Sequence, residues 1–459
     1  METVLNIKEL KVWFYTRRGI FRALNGVNLI LRKGEVLGIA GESGSGKSTL
    51  GLSIMALLPY NAVIIKGGSI YIKSKNTLET FDLFDESQLR RKFSMRKNRR
   101  IMNKISNSLS KLRGKLVSMV FQEPMTSLNP LLQVGYQIAE TIVAHNSSYL
   151  AKRILSRIKV TNSDLKEVLN LVTSSNNVED ELKRYAKNKG LEGIESQILY
   201  ILGRKDLSRT RKERAILTLK EKKKNFLTMN YLKRVAENRS LGIYSILDRL
   251  PFVKRFFSRI LLKEGYRRAV ELLSLLNIPH AEKVVYMYPH ELSGGMRQRV
   301  AIAIAISNNP DIIILDEPTS ALDVIVQNQI LQLISELKSK FNLSFIFISH
   351  DLSVLAEVCD RIAIMYGGRI VEVAPIDKIF YEPLHPYTKG LIKAIPKITK
   401  ESMTLESIPG TVPDMRNPPS GCMFHPRCPY AMEICRKQIP KSIEYNKDHF
   451  VECFLYGEQ

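Results

Sequence analysis

Residues Gly41-Glu42-Ser43-Gly44-Ser45-Gly46-Lys47-Ser48 fit the spacing G-x-x-x-x-G-K-[ST], between the apolar run Val36 to Ala40 and a helix-compatible stretch from Ser48 to Leu58. A glycine-rich loop joining a buried strand to a helix confines a chain to a small set of α/β folds. Glycines at 41, 44 and 46 let the backbone curl, so that successive N–H groups and the helix N-terminus face phosphate oxygens. Lys47 adds positive charge for β- and γ-phosphates, and the Ser48 hydroxyl is the expected Mg²⁺ ligand. Ser43, Ser45 and Thr49 complete the set expected around a nucleotide.

Four further segments follow in order: Gln122, Leu292-Ser293-Gly294-Gly295-Met296, Ile312-Ile313-Ile314-Leu315-Asp316-Glu317 and His350. The run Ile312 to Leu315 reads as a buried parallel strand, so Asp316 at its carboxyl end can hold the Mg²⁺ shell. Glu317, one residue on, points elsewhere and is the expected catalytic base for an attacking water. Taken without the glycine-rich loop, the two carboxylates could simply cap a strand. His350 follows the apolar strand Phe345 to Ile348 within Ser349-His350-Asp351, which favours a role at the phosphate over a structural histidine.

Together these residues resemble the ATP-binding subunit of ABC transporters, and the most specific element is Leu292 to Met296 with Arg297-Gln298-Arg299 behind it. The resemblance implies a P-loop NTPase ABC cassette of α/β class. It has a RecA-like core, an antiparallel β subdomain and an inserted α-helical subdomain. It further implies that Ser293, Gly294 and Gly295 open a helix meeting the γ-phosphate on a partner subunit. Gln122 would sense Mg²⁺ and couple to the membrane partner. Ser320-Ala321-Leu322-Asp323 would form the inter-subunit loop, and His350 would contact the γ-phosphate. Phe14, with Tyr15 next, is expected to stack on adenine, although three aromatics in Val12-Trp13-Phe14-Tyr15 suit a strand core equally well.

Phe121 to Pro130 and Tyr288 to Arg299 narrow the resemblance to oligopeptide/dipeptide importers. Met296 resembles one of the two ATPases of such importers, which implies a heterodimer with a second related ATPase, a homodimer being the alternative. The implied companions are two transmembrane permeases and, indirectly, an extracytoplasmic substrate-binding protein. The implied cargo is peptide, with nickel or oligosaccharide as alternatives. The similarity covers about residues 3–85, 116–145 and 264–457. Four segments are expected: 1–120 and 300–375 as the two parts of the nucleotide-binding core, 121–299 as the Gln122 loop and helical signature subdomain, and 376–459 as a small loop-rich extension.

The 459 residues suffice for two or three compact units, and 44% hydrophobic content is that of ordinary globular protein. No segment approaches 18 consecutive apolar residues and Met1 to Lys11 lacks a secretory pattern, so the expected place is the cytoplasmic face of the membrane, reached through partners. The net charge of +24 is concentrated: Glu86 to Lys115 has eleven basic and one acidic residue, and Ala151 to Ile260 twenty-six and twelve. These stretches look like insertions, at about 86–115 and 146–262. Glu181 to Lys189, Arg204 to Lys224 and Leu232 to Arg239 are charged and helix-permissive. The tail Leu241 to Leu262, broken at Pro251, mixes aromatics with Arg249, Lys254, Arg255 and Arg259. Such a segment can lie on anionic lipid or pack on the helical subdomain. The basic stretches are also the best argument for the rival reading, an ABC ATPase acting on nucleic acid or ribosomes. No second P-loop and no sustained heptads support it.

Past Ala374 the chain is rich in proline, which reads as loops. Four of its five cysteines fall there, Cys422, Cys428, Cys435 and Cys453, spaced C-x5-C-x6-C-x17-C. Clustered thiols can order a segment that lacks a core by binding metal. The spacing matches neither paired zinc motifs nor the close ferredoxin run. By resemblance to the C-terminal extension of oligopeptide/dipeptide importer ATPases, the four are implied to hold a [4Fe–4S] cluster. Zinc and unligated thiols remain the alternatives. Cys359 is expected to be packing.

Overall fold

The computed structural model describes residues 2–59, 63–73, 80–82, 113–123, 127–158, 232, 235–237, 251–320, 322–395 and 408–457. The basic stretches at 86–115 and 146–262 lie largely outside these residues, as do Met125 and Ala321. Two units divide the chain, one of Met1–Ser127 with Asn309–Gln459 and the other of Leu128–Asn308.

The first unit is built on two sheets. Strands β1 (Thr3–Thr16), β2 (Gly19–Arg32), β4 (Val63–Lys73) and β5 (Thr80–Asp82) form an antiparallel sheet in the order β2-β1-β4-β5. The second sheet, which includes β10 (Arg369–Pro375), β11 (Ile443–Asn446) and β12 (His449–Val451), has the order β11-β12-β10-β9-β3-β8-β7-β6. Its parallel part comprises β3 (Val36–Ala40), β6 (Val117–Val120), β7 (Ile312–Asp316), β8 (Ser344–Ile348) and β9 (Arg361–Tyr366). Every residue of β3, β7, β8 and β9 is buried, as the faces of a covered parallel sheet require.

Because β3, β8, β7 and β6 are neighbours running the same way, the loops leaving their carboxyl ends share one edge. Helix α1 (Lys47–Ile54) starts there, and its Leu50 and Ile54 join a core continuous with Leu5, Leu10 and Leu31 of the antiparallel sheet. A leucine as buried as Leu50, at 0% exposure, costs about 3 kcal/mol when cut to alanine.

The extension does not stand apart from this sheet. Strand β10 (Arg369–Pro375) pairs antiparallel with β9, β12 (His449–Val451) with β10, and β11 (Ile443–Asn446) with β12.

In the second unit, helices α2 (Val134–Ile158) and α3 (Pro251–Leu275) lie side by side, with α4 (Gly294–Ile306) against both. Pro251 is the first residue of α3, where its missing N–H is no loss. Val134, Ile138, Ile142 and Leu150 of α2 are buried at spacings of four and eight, and Ala269, Leu272 and Leu273 of α3 at three and four from Ala269, one face on each helix. Gly265 sets the approach, since a Cβ there would come within 2.8 Å of the Ala139 Cβ. Between the two helices Arg153, 4% exposed, donates to Glu264 at 3.0 Å and Glu271 at 2.5 Å.

Candidate nucleotide-binding site

The loop after β3 has the curled backbone that its glycines predict. Gly46 caps α1 with φ +104, and a Cβ there would lie 2.6 Å from the Ala23 carbonyl. Ser45 N–H closes a turn onto Glu42 O at 3.2 Å, and Leu50 N–H donates to Gly46 O at 2.9 Å. Ser43 and Gly44 are exposed at the rim, Ser45 is buried and Thr49 half-buried on α1. Lys47 is buried and its ammonium donates to the carbonyls of Gly41 at 2.7 Å and Glu42 at 3.1 Å. Burial lowers its pKa against the attraction of Glu317, Asp316 and Glu42.

Ser48 Oγ donates to Asp316 Oδ1 at 3.2 Å, so the two expected Mg²⁺ ligands already face each other. Burial raises the Asp316 pKa, opposed by the hydrogen bond from Ser48. Glu317 leaves the strand at φ +46, a left-handed conformation that costs a non-glycine residue about 1 kcal/mol or more. Its N–H is fixed to Ile348 O at 2.9 Å, and its carbonyl accepts from Ser320 Oγ at 3.1 Å. Gln122 Nε2 donates to Glu317 Oε2 at 2.9 Å, and His350 Nδ1 lies 3.1 Å from Oε1. Gln122, expected beside Mg²⁺, here bonds Glu317.

Phe14 is half-buried and packed against the core, paired with Phe21 and Val63 in the sheet, which is the alternative its sequence left open. Tyr15, 46% exposed, is the more open ring. Asp323 caps the helix α5 (Val324–Phe341), accepting from Val326 N–H at 3.0 Å. In the second unit Ser293 caps α4 by accepting from Met296 N–H at 3.3 Å, and Ser293 and Gly294 are exposed. The N-terminus of that helix thus offers its free N–H groups to solution.

Two residues beside the loop were not foreseen. Arg427 pairs with Glu42 through two hydrogen bonds, Nη1 to Oε2 at 2.7 Å and Nη2 to Oε1 at 3.1 Å. Tyr387 Oη accepts from Glu42 N–H at 2.9 Å. Neither has a local signature, because the partners are 385 and 345 residues apart.

The four C-terminal cysteines are free thiols, Cys435 buried and the others half-buried. Cys422 N–H donates to Cys435 O at 2.8 Å. Burial raises Cys422 and Cys453 to about 11, and the charges of the other cysteines push in the same direction. The thiols are thus near enough to disfavour one another's ionisation. Among the described residues no three His, Cys, Asp or Glu side chains gather as they would around a single metal ion. Cys359 is buried, and a Cβ on Gly38 would come within 2.9 Å of its sulfur, in keeping with packing.

The ABC transporter family model matches residues 24–219 and 189–320, and the model of the oligopeptide/dipeptide transporter C-terminal region matches residues 371–435. The oligopeptide transport ATP-binding protein AppD of Bacillus subtilis is 34% identical, the match covering 100% of this chain and 98% of that protein. OppD of Escherichia coli, another oligopeptide transport ATP-binding protein, is 33% identical over 100% of this chain and 95% of its own length. OppD of Bacillus subtilis is 34% identical over 98% and 88%. With these relatives and this strand-end site, the chain belongs to the ATP-binding proteins of ABC transporters, ATPases by family, in the oligopeptide/dipeptide branch.

Proposed function

We propose that this chain hydrolyses ATP to drive a peptide importer, as one of two related ATPases bound to a pair of membrane permeases. The observation that carries the reading is the cluster of Ser48, Asp316, Glu317, Gln122 and His350 at the ends of four adjacent parallel strands, beside a buried Lys47. The names of its relatives support oligopeptide as cargo.

The chemistry follows from the residues. Entering phosphates draw the Lys47 ammonium from the carbonyls of Gly41 and Glu42 onto β- and γ-oxygens. Loop N–H groups bind the rest of the phosphate chain. Ser48 and Asp316 would hold Mg²⁺, which would supply positive charge against the phosphates. Glu317 accepts a proton from the attacking water, with Gln122 and His350 fixing the carboxylate. Ser293, Gly294 and Gly295 of the second ATPase close the site with a helix N-terminus, while this chain's own signature serves the other site. Closure moves the permeases at the cytoplasmic face, and a binding protein on the far side delivers cargo. Among the described residues no helix is long and apolar enough to cross a membrane. Anionic lipid would meet the basic tail 241–262.

Affinity purification of the chain in mild detergent from its native cells tests this reading. Two multi-span proteins and a second ATPase at stoichiometric levels are expected. Ribosomal proteins or RNA in their place would overturn it and establish the rival.

We further propose that Cys422, Cys428, Cys435 and Cys453 hold a [4Fe–4S] cluster, four thiolates being its usual donor set. Bound, it would supply cross-linking that orders a loop-rich segment. Anaerobic purification should give brown protein with four iron and four sulfide per chain, as the cluster requires. Colourless protein with stoichiometric zinc would reject the cluster.

A further inference from the structure

The P-loop of this chain is held from outside the cassette's own motifs. Glu42 is bound at every polar atom: its N–H donates to Tyr387 Oη, its carbonyl accepts from Lys47 Nζ and Ser45 N–H, and its carboxylate receives both terminal nitrogens of Arg427. Arg427 is itself immobilised. Nε donates to Pro409 O at 2.9 Å, Nη1 also to Tyr366 Oη at 3.3 Å and Nη2 to Ile408 O at 3.4 Å. Its side chain is 5% exposed, against 26% for Glu42. Tyr387 is fully buried, its ring centroid 4.6 Å from that of Tyr366 and 5.4 Å from that of Phe424.

We infer that Arg427 and Tyr387 are positioning residues of the nucleotide site, through which the C-terminal segment holds the P-loop in its phosphate-receiving shape. The inference rests on the functional reading above.

Two physical arguments carry it. A loop with glycines at 41, 44 and 46 has a large conformational entropy, and ordering it at the moment of binding would weaken affinity. Clamping Glu42 by backbone and side chain removes that cost in advance. The second argument is charge. A carboxylate in a phosphate-binding loop repels the nucleotide unless it is paired. A bidentate guanidinium, rigidly held and shielded from water, pairs it far better than an exposed lysine could. An ordinary surface ion pair would have neither effect.

The test is equilibrium binding of MgATP to the purified full chain, with thermal unfolding measured alongside. Arg427→Met, which leaves Glu42 unpaired, is expected to raise Kd about tenfold. Tyr387→Phe, which deletes one acceptor, should raise it about threefold. Adding Glu42→Gln to Arg427→Met should recover affinity, because the repelling charge is gone. A purely structural role would instead lower the unfolding midpoint, leave Kd of the folded protein unchanged and make the double variant worse than either single one. That pattern overturns the inference. Should Arg427→Met not fold, Tyr387→Phe decides alone, an unchanged Kd being fatal. Wild-type protein that binds no MgATP would sink the functional reading and this inference together. Binding by wild type with unaltered variants sinks the inference only.

Discussion

His350 Nδ1 stands 3.1 Å from Glu317 Oε1 while Gln122 Nε2 stands 2.9 Å from Oε2, so each oxygen of one carboxylate has its own partner. The His350 side chain is 61% exposed and that of Glu317 17%. The histidine is therefore a bracket at the mouth of the site and the glutamate its inner group. Glu317→Gln keeps the shape and the hydrogen-bonding capacity but cannot take a proton. Steady-state ATPase should fall by about 10²-fold or more, with nucleotide affinity retained and a closed dimer accumulating on size exclusion in MgATP. Brisk turnover by this variant would remove Glu317 as base. His350→Ala, which frees one carboxylate oxygen, should reduce turnover less than Glu317→Gln does.

Lys47 is the cation inside the phosphate loop, and burial has already lowered its pKa. Its ammonium rests on two carbonyls that ATP must outbid, and a phosphate chain does so easily because it is charged. Lys47→Ala should therefore weaken MgATP binding by about 10²-fold, equal to two or three kcal/mol, the scale of a lost charge-assisted contact in a dry site. Calorimetric titration with MgATP checks this. Wild-type affinity would mean that the backbone N–H groups alone hold the phosphates.

What could be read before the fold was known follows from locality. Val36 to Ala40, Ile312 to Leu315 and Phe345 to Ile348 are unbroken apolar runs, and all proved to be buried strands of one sheet. Parallel order then brings their following residues together without further information. Strands β11 and β12 were illegible for the opposite reason. Ile-Glu-Tyr-Asn at 443–446 lies at the sheet's edge, half or fully exposed, so no apolar run marks β11; β12 is only three residues long, His-Phe-Val, too short for a run to show although His449 and Val451 are buried. Asp323 illustrates a double reading, since an aspartate before a helix signals a cap whatever else it contacts. Phe14 shows the ambiguity of aromatic clusters, which suit a core as well as a base. The pairing of Glu42 with Arg427 has no sequence signature at all.

The helical unit carries a buried charge network whose removal should be costly. Arg153 donates to Glu264, Glu271 and Tyr149, and Glu264 is 1% exposed. Arg153 and Arg268 pull the Glu271 pKa down against its burial. Arg153→Met keeps the volume and the apolar stem but removes a cation 3.0 Å from Glu264. The expected loss is about 3 kcal/mol, and Glu264→Gln in the same chain should return part of it. Urea denaturation followed by circular dichroism reads both numbers. A loss under about 1 kcal/mol would mean that Arg267, 3.3 Å from Glu264, compensates.

His385 gives the C-terminal segment an acid-sensitive point. It caps the helix α6 (Pro386–Lys393), its Nδ1 accepting from Tyr387 N–H at 3.0 Å, and it is 2% exposed. Burial lowers its pKa to about 4, with Lys389 acting in the same direction and Glu372 against it. The unfolded chain has a histidine of ordinary pKa, near 6.5, so below that pH the unfolded state takes up a proton that the folded state refuses. Stability from this group is therefore complete above pH 6.5 and drains away as pH falls towards 4. At pH 5 the loss should be about 2 kcal/mol relative to pH 7.5. His385→Asn retains an acceptor for Tyr387 N–H but cannot ionise, so its unfolding free energy should change less over this range. Denaturant midpoints for both proteins at the two pH values decide the matter. Parallel losses in the two would show that the acid response lies elsewhere, and a smaller loss in the variant would assign it to this buried ring.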